Sequence, residues 1–269
     1  MLYFCRKFFE FMLNYKVISN NPDNRWVVML HGAGGSIEVW FRQVPDFAKH
    51  FNLLLVDLAG HGGSVSDMFC QGLNFDKVAR QVMDVVNELG IVKSHFMGLS
   101  LGSIVVRVIA ENYPSRVESM VLAGAVTQLN LKTRILIKVV DACKNIIPYN
   151  LLKRIIAKYL IPRSRYAKSK NVFLKSAQKL SFDHFLQWMK LGDKVSRLMS
   201  NLFESKQVLI PTLYLMGEDD HLFLSQAQLE VNRSGDNVSM VIVPDAGHVC
   251  NIDNKSFFNR VSIDFLSKL

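Results

Sequence analysis

Ser100 stands in Gly98-Leu99-Ser100-Leu101-Gly102, with a glycine two residues away on each side. The pattern G-x-S-x-G is that of a sharp strand-to-helix turn that pushes a serine hydroxyl outward. A hydroxyl is a weak nucleophile, so it needs a base within hydrogen-bond reach, and that base needs a carboxylate to fix its tautomer. Both are present downstream: "GEDD" at 217–220 offers Asp219 and Asp220, and "DAGH" at 245–248 offers His248. A set of this kind would attack a carbonyl carbon, with His248 taking the serine proton and handing it to the leaving group. Alone, Ser100 reads better as a helix N-cap. The histidine and the acids shift the reading to chemistry.

These residues must be brought together by the elements that carry them. "WVVML" (Trp26–Leu30) is a continuous apolar run, as expected of a strand buried on both faces, and it ends at His31 and Gly32. "FNLLLV" ends at Asp57 and a glycine-rich loop. "DKVARQVMDVVNELG" spaces Val78, Val82, Val85, Val86 and Leu89 as a helix does, with Gly90 as its stop. "SHFMGLS" is a short strand into the serine turn, followed by a helix over "SIVVRVIAENYP" that Pro114 halts. "VESMVLAGA", "VLIPTLYLMGEDD" and "VSMVIVPDAGH" are further strand-like runs, and "KSFFNRVSIDFLSKL" closes as an amphipathic helix with Phe257, Phe258, Val261 and Phe265 on one side. Strands alternating with helices predict a mostly parallel central sheet with helices on both faces, an α/β class fold. Ligands bind such a sheet at the carboxyl ends of its strands. The serine, the acid and the histidine all fall at strand exits, in that chain order.

With "HGAGG" at 31–35, "DLAGHGGS" at 57–64, "GLSLG" at 98–102, "GEDD" and "DAGH" all in sequence, the chain resembles the α/β-hydrolase superfamily over nearly its whole length except an insertion at 127–207. The resemblance implies a catalytic Ser100–His248–acid triad, with an oxyanion hole formed by the backbone N–H groups of Ala33 and Leu101. Gly32, Gly34 and Gly35 would let that loop approach closely, and His31 would support it by hydrogen bonding. The family pattern G-x-x-D selects Asp220 as the triad acid, with Asp219 as the alternative. One departure is Ala59, where many members carry arginine. His61 is expected to hold the loop after Asp57, Asp245 to order the turn before His248, and His221 to sit at the pocket rim.

Between 127 and 207 the strand rhythm stops. Helix-like stretches such as "KTRILIKVVDACKNII" and "NLLKRIIAKYLI", divided by Pro148 and Pro162, read as a helical lid (127–207) inserted into a hydrolase core formed by 1–126 and 208–269. The formal net charge is +9, and it is concentrated here: between Asn130 and Leu180 there are 13 Lys or Arg and one acid, Asp141. A solvated helix surface, a docking face for an acidic carrier protein, and attraction to an anionic membrane surface all fit that charge. No recognition motif points to nucleic acid.

A chain of 269 residues, 49% hydrophobic and 20% charged, is long enough to bury a core without staples. Its four cysteines (Cys5, Cys70, Cys143, Cys250) show no metal-ligand or C-x-x-C spacing and read as free thiols. The N-terminal "MLYFCRKFFEFMLNYKVISNN" has neither the apolar run nor the cleavage site of a signal peptide, so the expected location is cytoplasmic. The expected activity is that of a carboxylesterase-like serine hydrolase acting on an ester or thioester of an apolar acyl group, with no cofactor and no metal. Acyl transfer to another acceptor, hydrolysis of acyl-carrier-protein esters, C–C bond hydrolysis, or a slowly turning small-molecule receptor would use the same residues.

Overall fold

The computed structural model describes residues 12–64, 72–143, 146–204 and 209–269. Cys5, Cys70 and most of the aromatic N-terminus lie outside the described residues. Seven strands form one sheet in the order β1-β3-β2-β4-β5-β6-β7. They are β1 Tyr15–Ile18, β2 Trp26–Leu30, β3 Asn52–Val56, β4 Ser94–Leu99, β5 Val117–Ala123, β6 Thr212–Gly217 and β7 Val238–Val243. Edge strand β1 runs antiparallel to β3, and every other pairing is parallel.

The apolar runs are continuous because both sheet faces are covered. Successive side chains of a strand point to opposite faces. Val28 and Leu30 of β2, with Leu54 and Val56 of β3, enter one core, while Val27, Met29, Leu53 and Leu55 enter the other. The first core is closed by α1 Phe75–Glu88 and α2 Leu101–Asn112, with Val78, Val82, Val85 and Val86 of α1 fully buried. The second is closed by α8 Lys255–Ser267. That helix buries Phe258, Asn259, Ser262 and Leu266, while Phe257, Val261 and Phe265 are half-buried, so its inward face is rotated from the one its phenylalanines suggest.

Helix α7 Leu224–Val231 links β6 to β7. The long connection lies between β5 and β6. It carries α3 Leu131–Cys143, α4 Tyr149–Leu160, α5 Ala167–Ala177 and α6 Phe182–Glu204. No helix among the described residues is long and apolar enough to cross a membrane.

Candidate active site

Three strand exits deliver the reactive side chains to one point. Ser100 sits between β4 and α2 with φ 51° and ψ −114°, a left-handed conformation that costs a residue with a Cβ about 1–3 kcal/mol. The strain is held by the backbone: Ser100 N donates to the Ala123 carbonyl at 2.9 Å, and the Ser100 carbonyl accepts from Ser103 Oγ at 2.6 Å. Gly98 and Gly102 make the turn possible. A Cβ on Gly102 would collide with the Leu30 carbonyl, and one on Gly98 with the Gly102 carbonyl. Although Ser100 occupies the N-cap position of α2, its side chain makes no capping bond. Its hydroxyl lies 2.9 Å from His248 Nε2 instead.

His248 Nδ1 lies 2.8 Å from Asp220 Oδ2. Burial pushes the Asp220 carboxyl up, but the adjacent His248 and the amides of Leu222 and Phe223 outweigh it and hold the group below the usual carboxylate range. Asp220 is therefore an acceptor only, its Oδ1 taking those two amides at 3.2 Å each. Nδ1 must then carry the ring proton, which leaves Nε2 to accept the serine O–H. The Phe223 ring packs against the imidazole at 5.1 Å between centroids.

Asp219, the alternative acid, faces elsewhere. Its Oδ2 accepts from Tyr166 Oη at 2.5 Å and pairs with Arg163 at 2.5 Å and with Arg165. All three partners belong to the β5–β6 connection. Asp245, expected to order the turn before His248, has φ 52° and a side chain 82% exposed. The turn is tied by Asp253, which accepts the Gly247 amide at 2.9 Å and the Ser169 hydroxyl at 2.7 Å. The short carboxylate of Asp253 reaches back from the helical turn Cys250–Asp253, a pairing that local sequence does not signal. His221 is exposed and packs its ring against Tyr159.

The loop bearing Ala33 is fixed by two neutral histidines. His31 Nδ1 donates to the Gly32 carbonyl at 2.8 Å, and its Nε2 accepts the Leu58 amide at 2.9 Å. His61 Nδ1 donates to the Ala59 carbonyl at 3.1 Å, and its Nε2 accepts the Gly34 amide at 3.0 Å. Burial lowers His31 to about 4, and burial together with the neighbouring His31 lowers His61 to about 3. Asp57 completes the frame, its carboxylate accepting the Ile37 amide at 2.7 Å, the Gly63 amide at 2.8 Å and the Asn14 side-chain amide at 2.7 Å. Ala59 is buried. Its carbonyl accepts a second bond from Trp188 Nε1 of α6 at 3.0 Å. The loop comes so near the serine that a Cβ on Gly32 would stand 3.2 Å from Ser100 Cβ. The Leu101 amide, in the first turn of α2, has no acceptor within its own helix. Ala33 and Leu101 line the same cavity as Ser100.

Above Ser100 and His248 lies a cavity of about 240 Å³. Leu136, Val140, Ile156, Phe173 and Trp188 of the four inserted helices supply much of its wall, and Lys153 is the one formally charged lining residue among those described. The Lys153 ammonium stands over the Tyr149 ring at 4.3 Å. Cys250 is fully buried with its Sγ 3.5 Å from the Leu215 carbonyl, and burial raises its thiol well above the ordinary value.

A family model described as alpha/beta hydrolase fold matches residues 25–141. The solved structure of MenH from S. aureus superposes with a TM-score of 0.81 at 18% identity, covering 94% of this chain and 98% of that one. The chain has the alpha/beta hydrolase fold. Among curated proteins with this chain's likeness, a putative carbamate hydrolase RutD of Pantoea ananatis is 26% identical over 260 residues, covering 94% of this chain and 93% of its own. A 2-hydroxy-6-oxononadienedioate/2-hydroxy-6-oxononatrienedioate hydrolase of Burkholderia vietnamiensis is 26% identical over 269 residues, covering 91% and 88%.

Proposed function

We propose that this protein is a serine hydrolase that cleaves a carboxylic ester or thioester of an apolar acyl group. The observation that carries this reading is the hydrogen-bonded chain Ser100 Oγ–His248–Asp220, with links of 2.9 and 2.8 Å, at the floor of an apolar cavity. Ser100 Oγ attacks the carbonyl carbon while its proton moves to His248 Nε2, and the carbonyl electron pair moves onto oxygen. The Ala33 and Leu101 amides hold that oxyanion, each such donor being worth about 3 kcal/mol. Collapse expels the alcohol or thiol with the proton from His248 and leaves an acyl-enzyme. Water, deprotonated by the same imidazole, then releases the acid and restores the serine. Asp220 keeps the tautomer correct and stabilises the imidazolium.

The acyl group would occupy the cavity beneath α3–α6, with residues 127–207 acting as a lid. The names of two relatives suggest a second reading, cleavage of a carbamate or of a dienedioate. A dioate carries two carboxylates, whereas Lys153 is the single cation among the described residues lining this cavity, so an apolar acyl group fits better.

Hydrolysis of p-nitrophenyl esters from acetate to palmitate, for wild type beside Ser100→Ala, tests the reading. We expect a rate that depends on Ser100 and peaks at one chain length. Activity that survives in Ser100→Ala would overturn it.

A further inference from the structure

Helices α3 and α4 have a second apolar face. Toward the cavity α3 presents Leu136, Ile137 and Val140, and α4 presents Ile156 and Leu160. The two helices meet through Thr133 Oγ1 and Tyr159 Oη, 3.3 Å apart. On the opposite side of α3, Leu131, Ile135 and Val139 recur every four residues and are 73%, 52% and 50% exposed. On the opposite side of α4, Leu151 and Ile155 do the same at 50% and 39%. Ile146, in the turn between them, is 81% exposed. Six of the thirteen large hydrophobic side chains exposed among the described residues thus fall within this one helical hairpin. Exposed Arg134 and Lys138 run beside the α3 row, and exposed Arg154 and Lys158 beside the α4 row.

A helix that covers a core normally turns polar residues to water. Here both sides are apolar, and the outer one is edged with cations at helical spacing. We propose that the outer face of α3 and α4 docks on an anionic lipid surface. Its aliphatic side chains would enter the acyl-chain boundary while Arg134, Lys138, Arg154 and Lys158 meet the phosphates. Charge sets the orientation, because 13 of the cations lie between 130 and 180 against one acid, while the remainder of the chain has more acids than cations. The exposed apolar residues of the patch are Leu, Ile and Val; Tyr and Trp, which anchor protein interfaces, are absent from it. That composition favours lipid over an acidic protein. A docked α3–α4 would leave only the helices' own thickness, about 10 Å, between the bilayer and the cavity that holds Ser100. An acyl substrate dissolved in the bilayer would have a short path to it.

Sedimentation of the full chain with vesicles of phosphatidylcholine alone, and with phosphatidylglycerol added, tests the docking without any need for turnover. It therefore stands or falls separately from the proposed chemistry. We expect binding to the anionic vesicles only, weakened about 30-fold by the double variant Lys138→Gln/Lys158→Gln. Ile135→Ser/Ile155→Ser should also weaken it, with melting temperature unchanged in both variants. Three results would each overturn the proposal: no sedimentation with anionic vesicles, equal binding to neutral ones, or serine variants that bind as tightly as wild type. Capture of an acidic protein without vesicle binding would reassign the face to a protein partner.

Discussion

In the proposed reaction His248 serves as a base only while Asp220 holds its proton on Nδ1, and that dependence can be measured. Asp220→Asn keeps the shape but offers an amide that can donate to Nδ1, which favours the wrong tautomer. We expect kcat to fall by about four orders of magnitude with the melting temperature little changed. Asp219→Asn should leave kcat within a fewfold of wild type, since Asp219 faces Arg163, Arg165 and Tyr166. A reversed ranking of the two variants would exchange their roles. The histidines behind the loop that bears Ala33 act on stability. In the folded chain His31 titrates at about 4 and His61 at about 3, against 6.5 when free. The unfolded chain therefore takes up protons first. Stability due to these neutral rings is complete above about 6.5 and is lost as pH falls toward their folded values, by about 3 kcal/mol for His31 alone. Urea midpoints measured from about pH 7 down to about pH 4.5 should fall steeply, and a flat profile would mean that the rings charge without cost.

At the scale of the element, the serine turn depends on close backbone approach. Gly102→Ala should cost about 3 kcal/mol and most of the activity, because the new methyl meets the Leu30 carbonyl on the neighbouring strand. Gly90→Ala is the contrast: its φ is 64° with nothing within 4 Å of the added carbon, so we expect a loss of about 1–2 kcal/mol and unaltered turnover. Comparison of urea midpoints and ester hydrolysis separates the two cases. The parallel strands and the helices beside them were legible in the sequence because their signals are local, such as the run in Trp26–Leu30 or the valines ending at Gly90. Ser100, Asp220 and His248 were legible because each follows a strand. Strand β1 was not, since four residues with half their pattern exposed carry little periodicity. Nor was the grip of Arg163, Arg165 and Tyr166 on Asp219, which joins positions more than fifty residues apart. Asp253, which performs the turn-ordering expected of Asp245, likewise reaches its partner through tertiary structure.

Taken whole, the molecule is a sheet with a helical connection fastened across the strand exits that carry Ser100, Asp220 and His248. Arg163 and Arg165 are about half exposed, so their pairing with Asp219 is worth no more than about 1 kcal/mol. Asp219→Asn should therefore raise tryptic cleavage within 127–207 by up to about fivefold while the core survives. Equal digestion rates would show that the connection is held by its apolar contacts alone. The left-handed backbone at Ser100 has a wider consequence. Glycine would adopt it freely, so Ser100→Gly should melt a few degrees above wild type while catalysing nothing. Selection for durability and selection for turnover then pull this position in opposite directions. A lineage released from the need for activity would be expected to lose its serine there first, and to become sturdier for it.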